Sequence, residues 1–221
     1  MKYLYRIHEG FGRGTSVDGY NGIKCLHNFI GAIGDKTDLT IFVDNSSPDF
    51  VSEIKAIHDN IVETALGNSK SFLNCVEYAI QNFDESERVY FVENDYLHLS
   101  DVENYLNDGF SVGASFVTLY DHPDKYNISQ YPTLQSKIFV GEHSHWRTVP
   151  STCMTFATHV ASLIKNKDIL YESCCHEVPS DWYMFEKMQS RGELLVSCMP
   201  GRCTHLERDY LTPLVDWKNV G

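Results

Sequence analysis

With 221 residues, 43% of them hydrophobic and 22% charged, the chain is long enough for one sizeable core and too apolar for disorder. Its net charge of −12 excludes a general nucleic-acid binder, which meets phosphates with a basic surface, and leaves room only for a local basic pocket. No window approaches the ~20 apolar residues of a membrane span, and MKYLYRIHEG lacks the apolar stretch of a signal peptide, so the expectation is a cytoplasmic protein with no membrane anchor.

In chain order, residues 3–8 (YLYRIH) read as a strand that runs into a glycine-rich loop, EGFGRGTSVDGYNG. Such a loop brings backbone close to a ligand, but its spacing is neither GxGxxG nor a P-loop. Apolar residues at helical spacing predict a helix over 23–33, and 38–43 (DLTIFV) is a second strand, followed at once by Asp44 and DNSSPD. A helix over 50–60, a short strand over 61–64 and a helix over 71–82 come next, the last with Asn68 or Ser69 as its cap. Residues 89–92 form a strand that ends in Glu93, Asn94 and Asp95. Then follow a short helix (101–107), a strand (115–120), a hairpin (136–140 with 145–148) and a helix over 155–164 started by Ser151 or Thr152. A helix over 181–191 with Ser180 as N-cap, a strand over 194–197 and an irregular tail complete the chain. Alternating strands and helices predict a single α/β domain over 1–221, complete or part of a longer protein, with a mostly parallel central sheet between helices. The seven cysteines show no CxxC, which argues for reduced thiols and against a zinc site.

Ligands bind at the carboxyl ends of parallel strands, so Asp44 and the Glu93/Asp95 pair are expected in one crevice. Two carboxylates spaced by one residue lie on one side of an extended chain, where they suit Mg²⁺ or Mn²⁺ bridging to substrate phosphates. Solvated loop acids are the plainer reading of that pair, and a turn-forming Asp is the plainer reading of Asp44.

The order of YLYRIHEG, FVDNSSPD, LGNSKSF, YFVENDYLH, FVTLYDHPDKY, HWRTVPSTCMTF, SDWYMF and PGRCTHLERDYLTPLVDW resembles small GT-A glycosyltransferases of bacteria and of large algal DNA viruses (chlorovirus type), over most of the chain. A viral origin would make the compartment the host cytoplasm. The resemblance implies a GT-A α/β/α sandwich and a DxD-like motif in which Asp95 binds the metal directly, Glu93 assists and His205 of THLE returns to the ion. It implies a nucleotide site of Arg6, Ile7, Arg13, Asp44, Asn68, Ser71 and Asn94, with Asp44 reading a base N–H. Tyr120, Asp121, Trp146, Arg147, Ser151 and Thr152 would touch donor or acceptor sugar, although a hairpin with a core Trp explains Trp146 equally well. Trp182 and Trp217 read as core. Asp181 would deprotonate the acceptor hydroxyl, unless it only favours the first turn of its helix.

The expected function is transfer of a hexosyl or deoxyhexosyl group from a nucleoside diphosphate sugar, UDP favoured, to a glycan or glycoprotein hydroxyl, with Mn²⁺ or Mg²⁺. The rivals are a nucleotidyltransferase, whose glycine-rich signature EGFGRGT matches poorly, a carbohydrate-binding module, and an inactive GT-A scaffold suggested by Glu93 standing first in the acidic pair.

Overall fold

The computed structural model describes residues 1–10, 15, 17–127 and 129–220. Its first half is β1 (Lys2–Ile7), α1 (Gly22–Ile33), β2 (Leu39–Asp44), α2 (Pro48–Ile57), β3 (Ile61–Thr64), α3 (Asn68–Asn82) and β4 (Arg88–Glu93). The second half is β5 (Tyr96–His98), α4 (Val102–Ser111), β6 (Phe116–Thr118), β7 (Ile138–Val140), β8 (His145–Thr148), β9 (Phe156–His159), α5 (Val160–Lys165), α6 (Lys167–Ser173), α7 (Asp181–Ser190), β10 (Leu195–Met199) and β11 (Cys203–His205). Local chemistry sets several boundaries. Asn21 caps α1 by accepting from the Lys24 N–H, and Ser47 caps α2 ahead of Pro48, whose missing N–H costs nothing in a first turn. The predicted cap of α3 is corrected: the helix starts at Asn68 after Gly67, so Asn68 and Ser69 lie inside its first turn and make no cap bond. Ser180 stands at the N-cap of α7 without a side-chain cap bond.

The main sheet has the order β3-β2-β1-β4-β9-β6-β10-β8-β7. Only β9 and β8 run against the common strand direction, so the sheet is mixed and mostly parallel. Both faces are covered, which is why strands such as LTIFVD are buried throughout. Tyr3, Tyr5, Ile7, Tyr90 and Val92 pack with α1, α2 and α4, whereas Leu4, Phe42, Val89 and Phe91 pack with α3, α5, α6 and α7. A second, two-stranded sheet pairs β5 with β11 beside a small core of Val17, Cys25, Leu97, Leu206 and Trp217.

The helix expected over 155–164 is corrected. Its first half is β9, wedged antiparallel between β4 and β6, and only Val160–Lys165 is helical. Ser151 and Thr152 therefore start no helix. No described helix is long and apolar enough to cross a membrane.

Candidate active site

Strand periodicity builds the first half of the site. Side chains alternate between faces, so Arg6 follows Leu4, Asp44 follows Phe42 and Glu93 follows Phe91 onto the α3 side of the sheet. These strands are parallel neighbours, and their carboxyl ends open on a cavity of about 310 Å³ against the start of α3. Arg6, Ile7, Asp44, Asn68, Ser71, Glu93, Asn94 and Asp95 all line it, as expected from the sequence. His8, Asn45 and Gly67 line it too and were missed, although each adjoins a residue that was not. Arg13 lies outside the described residues.

Arg6 and Glu93 sit opposite each other in the β1–β4 register, and their side chains meet at 2.9 Å. The other arm of the guanidinium donates to the carbonyl and side-chain oxygens of Asn68 (3.0 and 3.2 Å) and to Ser71 Oγ (3.1 Å). Phe72 lies under it, the guanidinium 5.4 Å from the ring centroid. Arg6 is thus a buried strut between the acidic strand end and the wall formed by α3. Burial pushes the Glu93 carboxyl above its ordinary range, against the attraction of Arg6 and with the help of the Asp95 charge.

Asp44 does structural work. Its Oδ1 accepts from Thr64 Oγ1 and the Leu66 N–H, both at 2.7 Å, and its Oδ2 from the Gly67 N–H and Asn45 Nδ2, both at 2.9 Å. A carboxylate has about four lone-pair directions, so its accepting capacity is filled. Burial raises its pKa, but the Leu66, Thr64 and Gly67 bonds outweigh burial and hold it below the ordinary value. Asn94 donates to the carbonyls of His8 and Gly10 at 3.2 and 3.4 Å, tying the strand ends together.

The small sheet supplies the second half of the site. Pairing of β11 with β5 sets His205 opposite Tyr96, and the Leu206 N–H donates to the Asp95 carbonyl at 2.8 Å. His205 Nε2 consequently lies 3.0 Å from Asp95 Oδ2. Burial lowers the imidazole pKa, but the Asp95 hydrogen bond and charge raise it further, and the net shift is upward. Asp95 Oδ1 is buried and has no hydrogen-bond partner among the described residues. A hard oxygen left orphaned beside an imidazole fits a divalent cation. Among the described residues no three His, Cys, Asp or Glu side chains gather to hold a metal on their own; Asp95 and His205 would offer two ligands, the rest having to come from elsewhere. Glu93 is turned to Arg6 instead.

Asp181 lies on the first turn of α7. Its charge raises the Glu93 pKa, while those of His122 and Lys125 act on Asp181 in turn. Burial pushes the Asp181 carboxyl above its ordinary range, against the bond from the Trp182 backbone N–H at 2.6 Å and the Lys125 charge. A raised carboxylate of this kind suits proton acceptance. His122 Nδ1 lies 2.8 Å from Asp124.

No protein-family model and no curated protein matches the sequence. Solved structures do. GalNAc-T7 in complex with UDP, GalNAc and Mn²⁺ superposes with a TM-score of 0.60 at 8% identity, over 95% of this chain. The fold is GT-A-like. Within that fold, CMP:2-keto-3-deoxy-manno-octonic acid synthetase complexed with CTP superposes at 0.54 and 12% identity, over 90% of this chain and 91% of its own. Residues 1–349 of S. aureus TarS superpose at 0.50 and 12% identity, over 89% of this chain. The chain spans only 44% of the GalNAc-T7 chain and 58% of the TarS chain.

The GT-A-like scaffold buries most of the residues expected to touch sugar. Trp146 is fully buried; its ring packs where Gly109 has no side chain, and its indole N–H donates to Asp108 at 2.8 Å, so it offers no face to a ligand. Asp121 and Arg147 form a buried ion pair at 2.5 Å, closed by the Tyr126 hydroxyl on Asp121 and the Tyr126 ring against the guanidinium. Tyr120 is buried with its hydroxyl on the Tyr210 carbonyl, and buried Thr152 donates to Thr118. Ser151 is buried as well. Trp217 is core as expected; Trp182 is not, being 52% exposed. A Trp in sequence carries no mark of which face of its element turns inward, which is why the reading of Trp182 as core failed.

Proposed function

We propose that the protein is a metal-dependent glycosyltransferase that moves a hexosyl or deoxyhexosyl group from a nucleoside diphosphate sugar, UDP favoured, to a hydroxyl of a glycan or glycoprotein. The observation that carries this reading is the opening of the Arg6–Asp44–Asn68–Ser71 cavity onto Asp95 and His205 at the strand ends of a GT-A-like sheet. The GalNAc-T7 neighbour, solved with UDP and Mn²⁺, supports it. Asp95 and His205 would hold Mn²⁺ or Mg²⁺, and a bound ion supplies Lewis-acid stabilisation of the departing diphosphate. Arg6 keeps the α3 wall in place against the nucleoside. Asp44 fixes the 64–67 loop; a base N–H reaching it would have to displace the Asn45 amide. In an inverting transfer, Asp181 takes the proton of the acceptor hydroxyl as the bond from that oxygen to the sugar carbon forms and the bond to diphosphate breaks.

A second reading, nucleotidyl transfer to a sugar acid or sugar phosphate, is favoured by the CTP-bound neighbour that this chain matches nearly end to end. Calorimetric titration with UDP and CTP, each with and without Mn²⁺, separates the two. UDP binding that requires Mn²⁺ is the expected result. CTP preference, with diphosphate release from nucleoside triphosphate and sugar phosphate, would move the assignment to nucleotidyl transfer. Binding of neither nucleotide would overturn both.

A further inference from the structure

The carboxyl end of β2 presents two polar residues in succession, and the fold treats them differently. Asp44 is buried and fully engaged, accepting from Thr64, Asn45 and the Leu66 and Gly67 N–H groups. Asn45 is exposed and lines the same cavity. Its backbone stands in the left-handed region, at φ 47°, which Asn enters more readily than most residues. The residue is held firmly in that place. Its N–H donates to the Thr64 carbonyl at 2.9 Å. The turn that follows is tied to β1: Ser46 Oγ accepts from the Glu9 N–H at 3.1 Å, and the Glu9 carboxylate accepts from the Ser47 N–H at 3.0 Å.

Chemistry fixes which way the Asn45 amide faces. A carboxylate only accepts, so Asn45 turns its nitrogen to Asp44, Nδ2 to Oδ2 at 2.9 Å. Its Oδ1 is left as an acceptor that takes no donor among the described residues. Turning the amide over would set its oxygen against the carboxylate and lose a charge-assisted bond.

We propose that Asn45 reads the nucleobase, and that its Oδ1 selects bases carrying a ring N–H, uracil or guanine, over cytosine and adenine. The ring N–H of the first two donates to Oδ1. The corresponding ring nitrogen of cytosine or adenine holds a lone pair, which would meet Oδ1 acceptor to acceptor, and the amide cannot adapt without breaking from Asp44. The exocyclic amines of those bases reach Oδ1 only after the base slides along its edge. The inference rests on the reading of this cavity as the nucleoside site. It deepens that reading by naming the base class and by moving recognition from Asp44, whose lone pairs are spent, to its neighbour.

The test is calorimetric titration of wild type and Asn45→Gly with UDP, GDP, CDP and ADP, each with Mn²⁺ present. Glycine keeps the left-handed backbone and removes only the amide. The four ligands share ribose and diphosphate, so differences among them report the base. Wild type is expected to bind UDP or GDP at least about tenfold more tightly than CDP and ADP, and Asn45→Gly to bring all four within about threefold of one another. A thermal melt confirms that the variant folds. Equal binding of the four by wild type overturns the proposal whatever the variant does. So does a base preference that survives in Asn45→Gly. Tighter UDP binding by Asn45→Gly also overturns it, because Asn45 would then only be blocking Asp44. Failure of wild type to bind any of the four overturns the nucleoside-site reading itself, and the inference with it, so the two failures are told apart.

Discussion

At the scale of single residues, the acidic pair divides its labour. Glu93 meets Arg6, and Asp95 meets His205 while one of its oxygens is buried with no partner among the described residues. The two carboxylates should therefore respond differently to neutralisation. Asp95→Asn is expected to weaken Mn²⁺ binding in the presence of UDP by tenfold or more, on the order of a lost metal ligand, as read by electron paramagnetic resonance. Glu93→Gln should leave that affinity within about threefold and instead lower stability by about 2 kcal/mol, because it removes the charge that neutralises buried Arg6. Equal loss of Mn²⁺ in both variants would return Glu93 to the metal. The alternation of β4 made the position of these acids legible in the sequence; their partners were not, since Arg6 and His205 lie 87 and 110 residues away.

At the scale of elements, the β7–β8 hairpin shows how one buried carboxylate organises a turn. Asp108, on α4, accepts from the N–H groups of Glu142, His143 and Ser144 and from the Trp146 indole. Burial raises its pKa, but those four donors outweigh burial and hold it below the ordinary 3.8. A depressed folded-state pKa contributes stability that is complete above the ordinary carboxylate range and is lost as pH falls through the folded value. Asp108→Ala should cost about 3 kcal/mol at neutral pH, since it leaves buried donors unpaired, and should flatten the acid limb of the Tm–pH curve. An unchanged Tm would show that water replaces the carboxylate. The hairpin itself was predicted from the sequence. β9 was not, because a four-residue strand has too little periodicity to be told from the helix it leads into, and its pairing with β4 and β6 is settled only in the assembled sheet.

At the scale of the whole molecule, the proposed activity asks a protein of net charge −12 to hold an anionic nucleotide. Among the described residues that line the cavity at the strand ends, Arg6 is the sole Arg or Lys, and it is already paired with Glu93. Electrostatics then demands that the metal carry most of the attraction. Without Mn²⁺, added salt is expected to strengthen the residual binding of UDP by screening like charges. With Mn²⁺, salt should weaken it. Metal-free binding that falls with salt would reveal a basic contact beyond those in the described cavity, with Arg13 the first candidate.

Local patterns were enough for the α/β class, the run from β1 to β4 and the acids at the strand ends, because these follow from periods of 2 and 3.6 residues within short windows. The resemblance also named Asn68, Ser71 and Asn94, and the structure puts all three on the cavity lining. It took the folded chain to show that β11 delivers His205 to Asp95, that Glu93 pairs with Arg6, and that Trp146 is core while Trp182 is exposed. Those outcomes depend on which distant surfaces meet when the sheet closes and on how much volume each leaves for a side chain, and no local pattern records either.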